Sequence, residues 1–494
     1  MDAVRLGIPA LVLVAVYIAG INLLGARLGR GQKDARDYFL GSHAMPWGAV
    51  LASIVATETS ALTFLSVPGD AYTSGYTFLQ LVLGYVVGRI LVAWILLPGY
   101  FEREYPTAYA LLETRFGTRA RRFTSLLFMV TRVLAAAVRL AVPAIPIALL
   151  LRIPVWAAIL LLAAGTALYT LLGGLKAVIW IDLIQVVLYL SGAVIALAVL
   201  LARVPGGLSG ALATHTSAGN PVKLFDFRFD PSVPYTFWSG LVGGAFLTMA
   251  SHGADQLIVQ RLLACRSLRD ARRALVGSGL LVFAQMALFT TIGVLLFAFF
   301  GGRSFASPDA IFPTFLVRDL PPLLSAYLVA GIFSAAMCSE SSALNSLASA
   351  LALDVVGPRS GAGALEGRSG LRLGRTLTVV WTVVLAGLAV AFSFLPRTQP
   401  AVQVALGLAS VTAGGLLGAF LLARFAFRAT EADVLWAVGV STAVLFGLWL
   451  GARGWAPVPL GRRIAWPWYS LIGCALATGV GFGLSLRHAR PRRG

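Results

Sequence analysis

Apolar runs long enough to cross a lipid bilayer recur along almost the whole chain, and no other feature limits its fold as strongly. Roughly thirteen stretches of about twenty residues qualify, near 6–28, 46–66, 74–101, 122–149, 153–173, 177–203, 235–264, 274–301, 320–354, 372–396, 400–425, 433–452 and 467–486. Hydrocarbon holds no water to satisfy backbone N–H and C=O groups, so runs of this length are read as helices. The 494 residues are 58% hydrophobic and only 12% charged, with a mean hydropathy of +0.85. That describes a polytopic membrane protein and excludes a water-soluble one. The first run is too long for a signal-peptide core and lacks a small-residue cleavage pattern, so it is read as a retained span.

The net charge of +19 does not point to nucleic acid, because of where it lies. Most Lys and Arg fall in the odd-numbered connections and the C-terminal tail, which makes that side cytoplasmic, with the N-terminus outside and the C-terminus inside a plasma or bacterial inner membrane. Clusters such as Arg119, Arg121 and Arg122, or Arg266, Arg269, Arg272 and Arg273, read as topology signals facing the inner leaflet. Arg89, Arg132 and Arg139 fall inside spans. The piece 204–234 is short and Gly/Pro-punctuated, and 355–371 is a Gly/Ser-rich connector, so no soluble domain is expected. Cys265, Cys338 and Cys474 lie in or beside apolar runs and suggest no disulfide framework.

One stretch conflicts with its setting. IVATETSALTFLSVPG (54–69) places Glu58 and the hydroxyls of Thr57, Thr59, Ser60, Thr63 and Ser66 inside an apolar run. An acidic side chain at a helix centre in a bilayer costs roughly 2.5–3.5 kcal/mol, so a functional reason is expected.

The stretches DYFLGSHAMPW (37–47), ATETSALTFLSVPG (56–69), GYVVGRILVAWILLP (84–98), TAYALLETRFG (107–117), YTLLGGLKAVIWIDLIQ (169–185), GADQLIVQRLLA (253–264) and SAAMCSESSALNSLASALALD (334–354) occur in this order. In these motifs the chain resembles the solute:sodium symporter family, whose members carry sugars, proline, pantothenate, iodide or sialic acid with sodium. The resemblance implies an all-α, inverted five-helix-repeat (LeuT-like) core of a multi-pass membrane protein with about thirteen spans. The first repeat would cover 46–203 and the second 235–427, with peripheral helices over 1–30 and 432–487. The first helix of each repeat would be broken near the midplane. Residues 56–66 read as the first break, with Pro68 and Gly69 closing the span. In the second, VGGAFLTMASHGADQ (242–256) supplies Gly243, Gly244, Ser251 and Gly253.

The resemblance also implies a sodium site made by the carbonyls of Ala56, Thr59 and Ala335 with the side chains at 338 and 339. A dehydrated hard cation needs about five oxygens, which freed carbonyls and hydroxyls can supply. Residues 335, 338, 339 and 342 share a helix face. The departure is Cys338, where the family usually has serine, because a thiol is a poor ligand for a hard cation. Ser339 would then carry the hydroxyl contact alone, or with help from Ser342 and a water. Asp182 with Ser341 and Ser342 matches a further sodium site of some relatives, so one sodium ion or two are expected; alternatively Asp182 pairs with Lys176 or a loop arginine.

For the solute, family logic points to Thr57, Glu58, Ser60, Thr63, Phe78, Gln80 and an arginine on span four, Arg139 foremost. Arg139 either presents its fork to a carboxylate or pairs with an acid such as Glu58 or Glu340. Gln80 and Phe78 read equally as packing residues, and His252 as hydrogen-bonded rather than a proton relay. The function expected is sodium-coupled import of a small polar solute by alternating access: a sialic acid, a sugar acid or an amino acid. A proton-coupled or sodium-independent carrier, or a transporter-like sensor, is the alternative. His43, His215, His252 and His488 are scattered, so no catalytic or metal constellation is expected. The expected partners are the bilayer and a small solute, with no nucleic acid, and the chain is expected to be a monomer or weak oligomer.

Overall fold

The computed structural model describes residues 8–41, 44–103, 105–360, 365–394 and 401–488. Among these, regular structure is helical apart from a lone bridge between Met45 and Cys265. The principal helices are α1 (Ile8–Leu28), α2 (Trp47–Glu58), α3 (Ala61–Ser74), α4 (Phe78–Ile95), α5 (Thr118–Leu151), α6 (Val155–Arg203), α7 (Gly244–Gly253), α8 (Gln256–Leu263), α9 (Leu268–Phe299), α10 (Pro322–Ala350), α11 (Gly367–Ser393), α12 (Ala401–Phe425), α13 (Glu431–Ala452) and α14 (Trp468–Ser485). Every apolar run of the sequence falls on one of these helices or on a broken pair. Among the described residues eight helices are individually long and apolar enough to cross a membrane, and the bent pair α2–α3 is a ninth candidate span.

The conformation of the chain punctuates these helices. Two expected spans form the single long element α6, interrupted at Gly174, whose φ of +55° an L side chain rarely adopts. Helix α2 ends at Glu58, and α3 restarts where the Ser60 hydroxyl accepts the Thr63 N–H at 3.4 Å. The two halves are bent by 61°. A π-helical turn over Ser239–Gly243 leads into α7, which stops at Ala254; the Asp255 carboxylate then caps α8 by accepting the Leu257 N–H at 2.9 Å. Pro68 and Gly69 do not close the span as expected. They lie within α3, which runs on to Ser74 because Pro68 sits too far along to interrupt the break itself.

Helix α10 lies at the centre, buried along most of its length and packed on α6, α5 and α1. Helices α4 and α7 approach through small residues: a Cβ on Gly84 would lie 2.2 Å from the Gly240 carbonyl, and one on Gly244 would lie 2.5 Å from that of Leu81. This is the close backbone approach by which helices associate in lipid. Not every basic cluster faces outward. Arg121 turns inward, donating to Asp354 at 2.8 Å and to the Leu353 carbonyl at 2.9 Å, and pairing with Glu113.

Candidate ion and solute site

The break between α2 and α3 frees particular carbonyls. In an uninterrupted helix Ala56 O would accept the Ser60 N–H, but that group donates to Glu58 O at 3.1 Å. Thr59 O would accept the Thr63 N–H, which has turned to the Ser60 hydroxyl. Both freed carbonyls face α10. There the Cys338 thiol donates to Ala56 O at 3.0 Å and to Ala335 O at 3.3 Å, with Thr59 O at 4.0 Å, while the Ser339 hydroxyl donates to Ala335 O at 3.2 Å. Ala56, Thr59, Ala335 and Cys338 are wholly buried, and Ser339 nearly so. The three carbonyls, the thiol and the hydroxyl therefore surround one point, and a donor S–H sits where a cation would satisfy the same oxygens. The donor set suits a hard monovalent cation except at the sulfur.

Asp182 is found with a cation already beside it. Its carboxylate accepts from the Ser53 hydroxyl at 2.5 Å and from Arg261 Nη2 at 3.4 Å. Arg261 also donates to Ser53 Oγ at 2.8 Å, to Leu257 O at 2.8 Å and to Ser342 Oγ. Neither Lys176 nor a loop arginine is the partner of Asp182. Ser342 also contacts Thr57 Oγ at 2.9 Å, and Ser341 donates to Cys338 O at 3.1 Å.

Glu58 has its own partner too, and it is not Arg139. Arg89 of α4, itself wholly buried, forms an ion pair with the partly buried Glu58 and donates to His252 Nε2 at 3.1 Å, while Ser251 lies 2.9 Å from His252 Nδ1. Arg132 pairs with Asp255 at the break between α7 and α8. Arg139, by contrast, has a buried Nε with no hydrogen-bond partner among the described residues. It lines a cavity of about 10 Å³ with Arg132, Ala136, Ser339 and Glu340, room for about one water. Glu340 Oε1 likewise lacks a partner among the described residues.

The remaining expected solute residues are divided. Thr57, Ser60 and Thr63 sit at the break, close to the carbonyl cluster. Phe78 and Gln80 do not line the Arg139 cavity: Phe78 packs edge-on against Tyr235, and Gln80 donates to Tyr235 O at 3.1 Å and accepts from the Asp226 N–H at 2.9 Å. Of the histidines, His43 lies outside the described residues. No cluster of His, Cys, Asp or Glu able to hold a metal occurs among the described residues. Arg89 and Arg261 are the residues that sequence reasoning did not place. Each is a charge inside an apolar run, the one available signal, but their partners lie on other helices.

A broken helix whose freed carbonyls face an intact helix at the centre of a membrane-embedded bundle is the arrangement of an ion-coupled carrier. The chain belongs to the sodium:solute symporter family, whose model matches residues 38–440. A sodium/sialic acid symporter of Aliivibrio fischeri is 28% identical across 98% of this chain and 94% of its own length. The human sodium/iodide cotransporter is 29% identical over 92% of this chain and 71% of that one. In structure the chain is similar to a Na+-coupled sialic acid symporter in its substrate-bound outward-open state, with a TM-score of 0.85, 26% identity, and 98% and 99% of the two chains covered. Mhp1, at 13% identity and a TM-score of 0.59, shares the fold. The protein is a multi-pass, sodium-coupled symporter with a LeuT-like inverted-repeat core, and a small solute is its cargo.

Proposed function

We propose that the protein imports a small carboxylate-bearing solute together with sodium held by the carbonyls of Ala56, Thr59 and Ala335 and the side chains of Cys338 and Ser339. The observation that carries this reading is the convergence of two break-freed carbonyls and a third from α10 on one buried point. Arg139 receives the solute carboxylate, with Thr57, Ser60 and Thr63 near the break supplying hydroxyls; Glu58, Phe78 and Gln80 hold the surrounding helices. Iodide, sialic acids and monocarboxylates, named as the cargo of relatives, are all anions. Charge balance favours the same class. One sodium ion and one carboxylate enter the low-dielectric interior as a neutral set, whereas sodium with an uncharged solute carries a net charge into it. The repeats span 46–203 and 235–427, the N-terminus is outside and the C-terminus cytoplasmic, and the unit is a monomer or weak oligomer.

A thermal-shift screen of the purified protein against carboxylates and their uncharged amides, in sodium and in potassium, tests the reading, because a ligand of the native state stabilises it by RT ln(1 + [L]/Kd). Sodium-dependent stabilisation by a carboxylate and not by its amide is expected. Arg139→Lys should abolish it although charge is kept, since an ammonium cannot reproduce the bidentate fork. A hit on an uncharged sugar, or one indifferent to sodium, overturns the reading.

A further inference from the structure

We infer that the groove between the starts of α2 and α9 and the end of α4 is a binding site for a phospholipid with an anionic headgroup. A cavity of about 570 Å³ opens there, lined by Trp47 of α2, Trp94 of α4, and Arg269, Arg272, Arg273 and Val276 of α9. Gly277, also on its wall, lets α9 lie close on α2, since a Cβ there would come within 2.6 Å of Leu51 Cδ1. Positions 269, 272, 273 and 276 stand at i, i+3, i+4 and i+7, so one face of α9 presents them together. Arg272 is fixed in place: its guanidinium lies 4.6 Å from the centre of the Trp94 ring and its Nε donates to Ala93 O at 2.9 Å. Its two Nη groups, and the exposed Arg269 and Arg273, have no hydrogen-bond acceptor among the described residues. No carboxylate of the described residues lies within ion-pair distance of any of the three.

Three guanidinium groups on adjacent turns repel one another, and their forks match the oxygens of a phosphate, which relieves that repulsion. The walls say that the phosphate belongs to a lipid. Along α9 the charges stop at Arg273, and Val276 and the exposed Leu280 follow about 10 and 16 Å beyond Arg269 at 1.5 Å per residue. Along α4 the same change occurs in reverse order, since the exposed Ile90 and Val87 share a face with Trp94 at i−4 and i−7. A charged mouth therefore continues into an apolar strip, which suits a headgroup and its acyl chain and offers nothing to a dissolved anion. Trp47 and Trp94 are both exposed, as indoles are at the headgroup level of a bilayer. The leaflet is the one proposed above to be cytoplasmic, where basic pockets between spans take anionic headgroups. The inference rests on the membrane-embedded fold and not on the sodium or solute site. A lipid seated here would hold the start of α2 against α4 and α9, and so should stabilise the fold.

The test is a titration of the delipidated full chain in detergent with phosphatidylglycerol, with phosphatidylcholine of the same acyl chains, and with glycerol 3-phosphate as the soluble arm. Native mass spectrometry counts the lipid retained, and thermal unfolding is followed in parallel. Phosphatidylglycerol should be retained at a concentration about tenfold or more below that needed for phosphatidylcholine and should raise the unfolding temperature, while glycerol 3-phosphate does neither. Arg269→Gln combined with Arg273→Gln should weaken phosphatidylglycerol by about 30-fold and leave phosphatidylcholine unchanged. Arg368→Gln combined with Arg372→Gln, which removes the same charge from exposed positions of α11, should leave both lipids unchanged. Equal retention of the two lipids, no loss in the Arg269/Arg273 variant, or an equal loss in both double variants overturns the inference. Glycerol 3-phosphate that stabilises as well as phosphatidylglycerol makes the ligand a dissolved phosphate and overturns it too. Should the Arg269/Arg273 variant fail to fold, Trp94→Ala, which removes the ring beneath Arg272, must weaken phosphatidylglycerol severalfold for the inference to stand.

Discussion

Single side chains set the terms of the ion site. The Cys338 thiol lies against the freed carbonyls of Ala56 and Thr59 and against Ala335 O, which also accepts the Ser339 hydroxyl, and its sulfur would contribute little to a bound cation. Cys338→Ser keeps a donor and adds a hard oxygen, and should lower the sodium concentration giving half-maximal stabilisation by severalfold. Ser339→Ala should raise that concentration with near-normal folded yield, since a neutral hydrogen bond is worth about 1 kcal/mol. Sodium titrations of thermal stability check both. The ion pair of Glu58 and Arg89 follows a different rule. Arg89→Met or Glu58→Gln alone leaves a buried charge uncompensated and should cost on the order of 3–5 kcal/mol, whereas the double variant should recover most of the folded protein. Folded yield by size-exclusion chromatography distinguishes these outcomes, and a double variant as poor as the worse single would sink the pair as a unit.

At the level of elements, the broken helices are made by local competition for hydrogen bonds. The Ser60 hydroxyl takes the Thr63 N–H, which releases Thr59 O from the helical ladder and turns an element boundary into part of the proposed sodium site. The packing of α4 on α7 is equally local in origin, as GYVVG (84–88) places Gly84 and Gly88 on one face, where side chains would meet the Gly240 and Ala245 carbonyls at 2.2 and 2.5 Å. Gly84→Leu should therefore prevent α4 and α7 from closing and reduce the yield of folded protein sharply. Gly99→Ala, whose added methyl would rest 3.4 Å from Leu111, should be nearly neutral. Comparing the two by thermal stability in detergent separates close packing from a general intolerance of larger residues.

For the whole molecule, the proposed sodium site joins elements remote in sequence, because Ala56 and Thr59 belong to α2–α3 and Ala335 to α10. Sodium should accordingly stabilise the entire fold. Raising it to ten times its half-saturating concentration, with potassium making up the ionic strength, should add about 1.4 kcal/mol. An unchanged unfolding transition in the two salts would count against a site that bridges these helices. Much of this architecture was legible in the chain. Apolar runs of bilayer length dictate helices because a lipid interior leaves backbone groups no other partner, and the polar run 56–66 marks the break because Thr and Ser side chains compete with the helical ladder. The carbonyls of Ala56 and Thr59, named from motif resemblance, lie at that break. What sequence spacing could not supply is the pairing of charges. Glu58 has Arg89, Arg132 and Arg139 within possible reach, and Asp182 has Lys176 six residues away, yet the partners are Arg89 and Arg261. A buried charge is matched through space, across helices whose mutual rotation only the packed bundle decides, and the cavity beside Arg139 is lined by charges that this packing brings together.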